Sequence, residues 1–562
     1  MADILAQRTP TGRPKFVLIG APGALGLKLS EIGWQQWSMG RWTTTRPATI
    51  AATDALLPTV RDESCTRALA WCSRAYRDSS VMAYPGGGGP EVEEVLAKGA
   101  PKPFPYQASG AIWLAGKQRA LLGDDAGCGK TNQALIACAI VNAKRVLVLC
   151  PTTLTGQWID EADRWVGLER FDEFQAVGFG LLSTSGERAG ETYFDAVFRE
   201  KWDVVIIDEC HYLRSMDSTR TCRIWGGQSI KNKIIKGKHR RVKGPKFEGI
   251  AHVATRVWAL SGSPIPNKPK NMLPTLHGLD PEGWPTQQYL ERYCDPRFDR
   301  ATNAIVYEGS SNEEELNKNL RGGGIMLRRL KADVLPQLPP KVRGVVRLEV
   351  TNLTRETEFL KSNRLTLADI REAVGRIGAL CNADDVLATV RQQSSLARVV
   401  KMVPMIQALA GDESVLVLCN HREVAWQLHA SLHSARNEGA DDARDCEAMS
   451  LTGDDAPAER RAKALAFTGK YLCATIGAIG TGLDGLQRAY SHAIFVEFPW
   501  APSDLTQAED RLHRIGQTKS VRITYLVEPG SIESAVLAGT ARKAEWSHMV
   551  LDASVQRTNV SV

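Results

Sequence analysis

The sequence predicts an α/β chain with two parallel sheets, helical insertions, and a small accessory region in front. Three observations carry that expectation. A short apolar run at 119–122 passes through a small-residue loop into a helical pattern with Ala134, Leu135, Cys138 and Ala139. Apolar runs at 145–150, 203–207 and 256–260 then recur at strand length, separated by helical or polar stretches. After a largely helical stretch from about 270 to 400, alternation resumes with strands at 414–419, 471–476, 493–497 and 521–527 and a helix at 422–434. Strands alternating with helices build a parallel sheet, whose ligand crevice lies at the carboxyl ends of the strands.

Length and composition bound the rest. A chain of 562 residues has room for about three domains of roughly 150 residues. Hydrophobic residues at 43% and charged residues at 24% are ordinary for a globular protein. The net charge of +7, from 70 basic and 63 acidic residues, permits a nucleic-acid partner without demanding one. Twelve cysteines occur with no Cys-x-x-Cys pair, which argues against a structural zinc site and a disulfide framework. Cys138, Cys150, Cys419 and Cys473 sit in apolar runs and read as buried thiols. No apolar stretch approaches the ~20 residues of a membrane span, and the first residues lack a signal-peptide core. The expectation is a soluble, intracellular protein with no membrane partner.

Residues 1–100 say least. Trp34, Trp37 and Trp42 point to a small folded piece, and Pro47 suits the start of a helix over 48–57. Its role reads equally as packing or as accessory DNA binding. The run Pro85-Gly86-Gly87-Gly88-Gly89-Pro90 marks a flexible boundary. The predicted divisions are 1–100, 101–335 and 336–562.

From Pro101 the reading sharpens. Residues 121–131 read LLGDDAGCGKT, a strand, loop and helix start of the kind that cradles phosphates. Gly127 and Gly129 free the backbone to turn its N–H groups inward, and the helix N-terminus adds positive potential. Lys130 would reach the β- and γ-phosphates, and the Thr131 hydroxyl would ligate Mg²⁺. The strict pattern has glycine at position 124, where this chain has Asp124. Gln107, just before a helix predicted at 108–116, can donate and accept at once and so could pair with the N6/N7 edge of adenine.

Each later polar motif sits just past a predicted strand. Pro151-Thr152-Thr153-Leu154 follows the second and leads into a helix with Gln157 and Trp158. Asp208-Glu209-Cys210-His211 follows the third, and Ser261-Gly262-Ser263-Pro264 the fourth. Beside ATP, Asp208 can hold Mg²⁺ and Glu209 can orient and deprotonate the attacking water. An Asp-Glu pair is otherwise an ordinary helix start, and the upstream phosphate loop favours the catalytic reading. The segment 230–246 carries eight basic residues, Lys238, Arg240 and Arg241 among them, and no acid. It reads as a solvent-exposed mobile loop able to contact phosphates.

Residues 326–340, MLRRLKADVLPQLPP, are basic and then proline-braked, and read as a crossing between two lobes. The second sheet has no phosphate loop. It does carry Gly480-Thr481-Gly482-Leu483-Asp484 and, on a predicted helix, QAEDRLHRIGQ from Gln507 to Gln517. Gln507, Arg511 and Arg514 stand four and three apart, one face of such a helix. Two guanidiniums on a lobe without its own nucleotide meet the requirement for arginine fingers.

In this order, the motifs resemble superfamily-two helicase motors, and among them the Swi/Snf-related ATPases, over about residues 100 to 540. The resemblance assigns Gln107 to the adenine-reading motif, GCGKT to motif I, PTTLTGQW to Ia, DECH to II, LSGSP to III and QAEDRLHRIGQ to VI. YLERYCDPR, SSNEEELN, MLRRLKADVLPQLPPK and IGAIGTGLDG point further to the HARP-type annealing helicases. Residues 34–57 are faintly similar to the small domain before the motor in that branch. Cys128 stands where the family usually has leucine. No HNH-type nuclease signature, zinc finger or bromodomain is found.

The resemblance implies two RecA-like lobes, ATP and Mg²⁺ in their cleft, and DNA across their shared face. Gly482 and Asp484 would join the ATP site, and Ser261, Gly262, Ser263 and Gln507 would couple it to DNA. Pro151, Thr152, Gln157, Thr452 and Gly453 would hold the sugar-phosphate backbone, with weak sequence preference. The implied function is a DNA-dependent ATPase that translocates on duplex, forked or single-stranded DNA and remodels or reanneals it; a monomer is expected. A strand-separating DNA or RNA helicase is one alternative, and a nucleotide-binding scaffold without a motor cycle is another. Intact Lys130, Asp208, Glu209, Arg511 and Arg514 argue against the scaffold. Short flanks suggest a minimal bacterial or viral motor, in the cytoplasm or nucleoid, or in the nucleus of a eukaryotic cell.

Overall fold

A computed structural model describes residues 89–183, 197, 200–235, 238–266, 268–299, 303–349, 354–364, 366–368, 370, 384–434, 447–480, 483 and 485–552, with five strands nearer the N-terminus. Those strands are β1 (Ala2–Arg8), β2 (Pro14–Ile19), β3 (Gln35–Ser38), β4 (Arg41–Thr44) and β5 (Thr59–Arg61). They form one sheet in the order β3-β4-β2-β1-β5, antiparallel except for the β1–β5 pair. Trp37 and Trp42 lie on β3 and β4, whereas Trp34 and all of 48–57 lie outside the described residues. The chain divides into two compact units, chiefly Met1–Val334 and Leu335–Trp546.

The first unit is built on β6 (Arg119–Leu122), β7 (Arg145–Cys150), β8 (Glu173–Gly178) and β9 (Trp202–Ile207). A hairpin follows, β10 (Gly227–Ile235) with β11 (Lys238–Phe247), then β12 (Ala254–Leu260). A second hairpin pairs β13 (Pro296–Asp299) with β14 (Ala304–Tyr307), and β15 (Met326–Leu327) closes the unit. The main sheet runs β15-β6-β12-β9-β7-β8 and is parallel throughout. Alternate side chains feed opposite faces, as the pleat requires. Leu121, Leu147, Leu149, Val205 and Ile207 enter one core, and Leu122, Val146, Val148, Val204 and Ile206 the other.

The second unit repeats the plan. Its strands are β16 (Lys341–Arg347), β17 (Val415–Cys419), β18 (Ala448–Leu451), β19 (Tyr471–Thr475), β20 (His492–Phe495) and β21 (Val521–Val527). They form a parallel sheet ordered β16-β21-β20-β17-β19-β18. The helix Arg422–Ser434 follows β17, as the sequence predicts. Two parallel sheets, each covered on both faces, are the architecture expected of two RecA-like lobes. Buried Arg391, paired with Glu533 at 2.6 Å, ties the long helix Asp384–Ala410 to the last helix, Ile532–Asp552.

Two expectations need correction. The stretch from 270 to 400 is less helical than its composition implies, because it contains the β13–β14 hairpin, β15 and β16. The basic segment 230–246 is a paired hairpin instead of a mobile loop, and its Arg241 pairs with Asp217 from outside the segment. The stretch 326–340 does contain the change from the first unit to the second, at Val334 and Leu335, and before it β15 pairs with β6 and Arg328 and Arg329 are buried. Among the described residues, no helix is long and apolar enough to cross a membrane.

Candidate functional site

The phosphate-loop segment leaves the carboxyl end of β6 and ends at the helix Lys130–Ile140. Gly127 has φ 83° and Gly129 φ 73°, left-handed values that a side chain strains to adopt. A Cβ on Gly129 would also lie 2.4 Å from Gln107 Nε2, so the glycine is needed for space as well. The Lys130 ammonium rests across the loop, 2.9 Å from the Asp124 carbonyl and 3.1 Å from that of Asp125. Both carbonyl contacts can be exchanged for phosphate oxygens.

Gln107 lies in the first turn of the helix Pro105–Ala115, which starts earlier than the sequence predicts. Its Oε1 accepts from Phe104 N at 3.0 Å and its Nε2 donates to the Cys128 carbonyl at 3.2 Å. That carbonyl also receives the Tyr106 hydroxyl at 3.0 Å and Gln133 Nε2 at 3.3 Å. Cys128 is therefore pinned by its backbone. Burial, then the charges of Asp124 and Asp125, push its thiol up to about 12.

The strand order sets the other motifs beside this loop. β12 lies next to β6, then β9, then β7, so their carboxyl-end loops follow one another along the sheet edge. Asp208 follows β9 and is buried, with its carboxylate accepting from Trp158 Nε1 at 2.9 Å and from Glu209 N at 2.9 Å. Burial and the Glu209 charge push its carboxyl up to about 6, against the pull of the Trp158 N–H and Lys130. A cation beside it would relieve that condition. The hydroxyl of Thr131 and the carboxylate of Asp208 are hard oxygen donors, the type Mg²⁺ takes, so the residues present fit that ion.

Glu209 sits at φ 49°, an uncommon region for a residue with a side chain and one that clusters at working sites. His211 Nδ1 lies 3.1 Å from Glu209 Oε2 and 2.9 Å from Ser261 Oγ. Ser261 Oγ in turn accepts from Ser263 N at 3.1 Å. A continuous polar path thus runs from Glu209 to the loop after β12. Gly262 packs that loop on the phosphate loop, since a Cβ there would meet Ala126 N at 3.0 Å. Pro151 and Thr152 follow β7, with Thr152 exposed, and half-buried Gln157 lies on the helix Thr155–Val166.

In the second unit, the helix carrying Gln507 spans Pro502–Glu509 and stops there. Arg511 and Arg514 therefore lie beyond the helix that carries Gln507, and the three do not share one helical face as the sequence predicts. Arg511 and Arg514 lie in tight turns, where Arg511 N bonds Ala508 O and Leu512 N bonds Glu509 O, each three residues back. Glu509 explains the anchoring. It is buried, bonded by Lys341 Nζ at 2.9 Å, by Arg343 Nη2 at 2.6 Å and by the Tyr525 hydroxyl. Burial raises its carboxyl, but the Lys341 and Arg343 charges outweigh that and hold it below the ordinary value. The Arg511 guanidinium donates to Leu483 O at 3.3 Å and to Gly480 O, and Arg514 is half-buried. Gly482 and Asp484 lie outside the described residues. Thr452 follows β18 and is buried, with its hydroxyl 3.1 Å from Asp454 Oδ2, while Gly453 is exposed.

Sequence reading missed Trp158, His211, Gln133, Arg328 and Arg329 as partners of these motifs. Only the paired arginines left a signal, as two cations in an apolar run answering two aspartates in the loop.

Residues 106–377 match the SNF2-related domain. The DNA annealing helicase and endonuclease ZRANB3 of Mus musculus is 27% identical over 480 residues, covering 80% of this chain and 41% of that protein. The SWI/SNF-related matrix-associated actin-dependent regulator of chromatin subfamily A-like protein 1 of Xenopus tropicalis is 28% identical over 459 residues, covering 79% of this chain and 44% of that protein. This chain thus spans less than half the length of either relative. A solved Sulfolobus solfataricus SWI2/SNF2 ATPase core in complex with dsDNA aligns over 80% of this chain and 95% of its own, at 16% identity and a TM-score of 0.33. Residues 106–377 of this chain are thus an SNF2-related domain.

Proposed function

We propose that this chain is a DNA-dependent ATPase that translocates on duplex or branched DNA and remodels or reanneals it. The observation that carries the reading is the gathering of Lys130, Asp208, Glu209 and Ser261 at neighbouring strand ends of one parallel sheet. The name of the mouse relative, a DNA annealing helicase, supports the DNA side of it.

In this mechanism the N–H groups around Gly127 and Gly129 take the phosphates, and Lys130 exchanges the Asp124 and Asp125 carbonyls for their oxygens. Gln107 reads the adenine edge, and Gly482 and Asp484 complete the nucleotide site. Thr131 and Asp208 would hold Mg²⁺, which would offset phosphate charge. Trp158 keeps Asp208 turned toward that position. Glu209 orients the attacking water and removes its proton, while His211, Ser261 and Ser263 carry the state of the site toward the loop after β12. Arg511 and Arg514 neutralise charge on the transferring phosphoryl, and Gln507 supports their approach.

DNA is held through its backbone by Pro151, Thr152 and Gln157 in the first unit and by Thr452 and Gly453 in the second. The β10–β11 hairpin adds the cationic residues Lys238, Arg240 and Arg241. Its register sets Lys233 opposite Arg240, and like charges at paired positions destabilise a strand pair. A polyanion removes that penalty. Replacing Lys233, Lys238 and Arg240 by serine is expected to weaken duplex binding. The slope of log affinity against log salt should flatten by ~0.9 for each phosphate no longer neutralised. An unchanged slope would exclude the hairpin from the DNA surface.

One assay separates this reading from a strand-separating helicase. Blunt duplex should stimulate ATP hydrolysis without release of a labelled strand from a partial duplex. Efficient strand release with stimulation by single strands alone would favour the helicase instead.

A further inference from the structure

Arg328 and Arg329 are each 3% exposed, an unusual place for two adjacent guanidiniums. Arg328 Nη2 lies 2.9 Å from Asp125 Oδ1, and its Nη1 lies 2.6 Å from Gly123 O and 3.4 Å from Gly262 O. Arg329 bonds both carboxylate oxygens of fully buried Asp124, and its Nη2 reaches Gln133 Oε1 at 2.7 Å. The backbones are laced as well. Gly123 N bonds Leu327 O at 2.7 Å, and Asp125 N bonds Arg329 O at 3.1 Å. Arg329 N bonds Asp124 Oδ1 at 3.0 Å, and Lys331 N bonds Asp125 Oδ2 at 3.0 Å.

Two carboxylates at the start of a loop that takes in a triphosphate would repel it, most strongly where water is excluded. The same two residues supply the carbonyls on which Lys130 rests. We infer that Arg328 and Arg329 are positioning residues of the nucleotide site: they cancel the charge of Asp124 and Asp125 and fasten the phosphate loop to the segment leading into the second unit. This inference rests on the ATP-binding reading above. Arg328 also bonds the Gly262 carbonyl, so one side chain joins the phosphate loop to the loop after β12.

The test is rescue. Arg328→Met in the full chain should weaken binding of a fluorescent ATP analogue by about tenfold or more, the scale of a missing charge-assisted hydrogen bond beside a freed carboxylate. Adding Asp125→Asn removes that carboxylate charge and should restore affinity to within about threefold. Asp125→Asn alone, which leaves Arg328 its carbonyl partners, should bind the analogue at least as tightly as the unmodified protein. A purely structural role would lower the melting temperature of Arg328→Met without this reversal. Unchanged affinity in Arg328→Met, no recovery in the double variant, or tenfold weaker binding by Asp125→Asn alone would each overturn the inference. Should Arg328→Met fail to fold, the Asp125→Asn arm still decides. Failure of the unmodified protein to bind the analogue would instead count against the nucleotide site itself.

Discussion

Lys130→Ala and Glu209→Gln are each expected to abolish DNA-stimulated ATP hydrolysis while leaving the fold intact. The Lys130 ammonium donates to two backbone carbonyls of the loop and reaches no core side chain through them. Its loss therefore falls on phosphate binding and on charge neutralisation in the transition state. Glu209→Gln keeps the size and the hydrogen-bonding reach of the side chain but removes the base. Loss of a positioned general base costs about 10²- to 10⁴-fold in rate, and ATP should still bind. Phosphate release in saturating duplex DNA, read beside a circular dichroism melt, checks both variants. Turnover at the unmodified rate in either would overturn the assignment of Glu209 or Lys130.

The parts legible in the sequence were those buried on both faces. β6, β7 and β21 have the bounds that their apolar runs predict, and the other central strands differ by only one or two residues. A strand covered on both faces must be apolar along its length, so composition alone marks it. The strands that escaped notice are β8 and β15 in the first sheet and β16 and β18 in the second. All four are sheet edges. Edge strands are short or charged and half open to water, as KVRGVVR of β16 illustrates, and they leave no apolar run to read.

The site divided along similar lines. Loops at strand ends announce themselves by residue type, which made Lys130, Asp208, Glu209 and Ser261 legible. Their supports come from elsewhere in the chain: Trp158 stands 50 residues from Asp208, and Arg329 stands 205 from Asp124. Such pairings are set by the fold. Helical periodicity also misled, because the spacing of Arg511 and Arg514 matches a helix that ends at Glu509, where Lys341, Arg343 and Tyr525 grip the carboxylate.

Arg514→Ala carries the other large expected effect, with Arg511→Ala in the same sense. Arginines that neutralise a transferring phosphoryl contribute about 10³ to 10⁵ in rate, and little to ground-state binding of ATP, because the charge they answer develops only during transfer. Arg511 also bonds the carbonyls of Gly480 and Leu483, so its removal loosens that neighbouring segment as well. Arg514→Ala is thus the cleaner variant.

If one unit holds ATP and the other triggers its cleavage, binding and chemistry must come apart in the Arg514→Ala protein. A rapid-quench experiment on that variant, loaded with ATP and mixed with duplex DNA, reads both quantities at once. Normal nucleotide occupancy with no phosphate formed in the first turnover is the expected result; weak occupancy accompanied by a normal phosphate burst would refute the division of labour between the units.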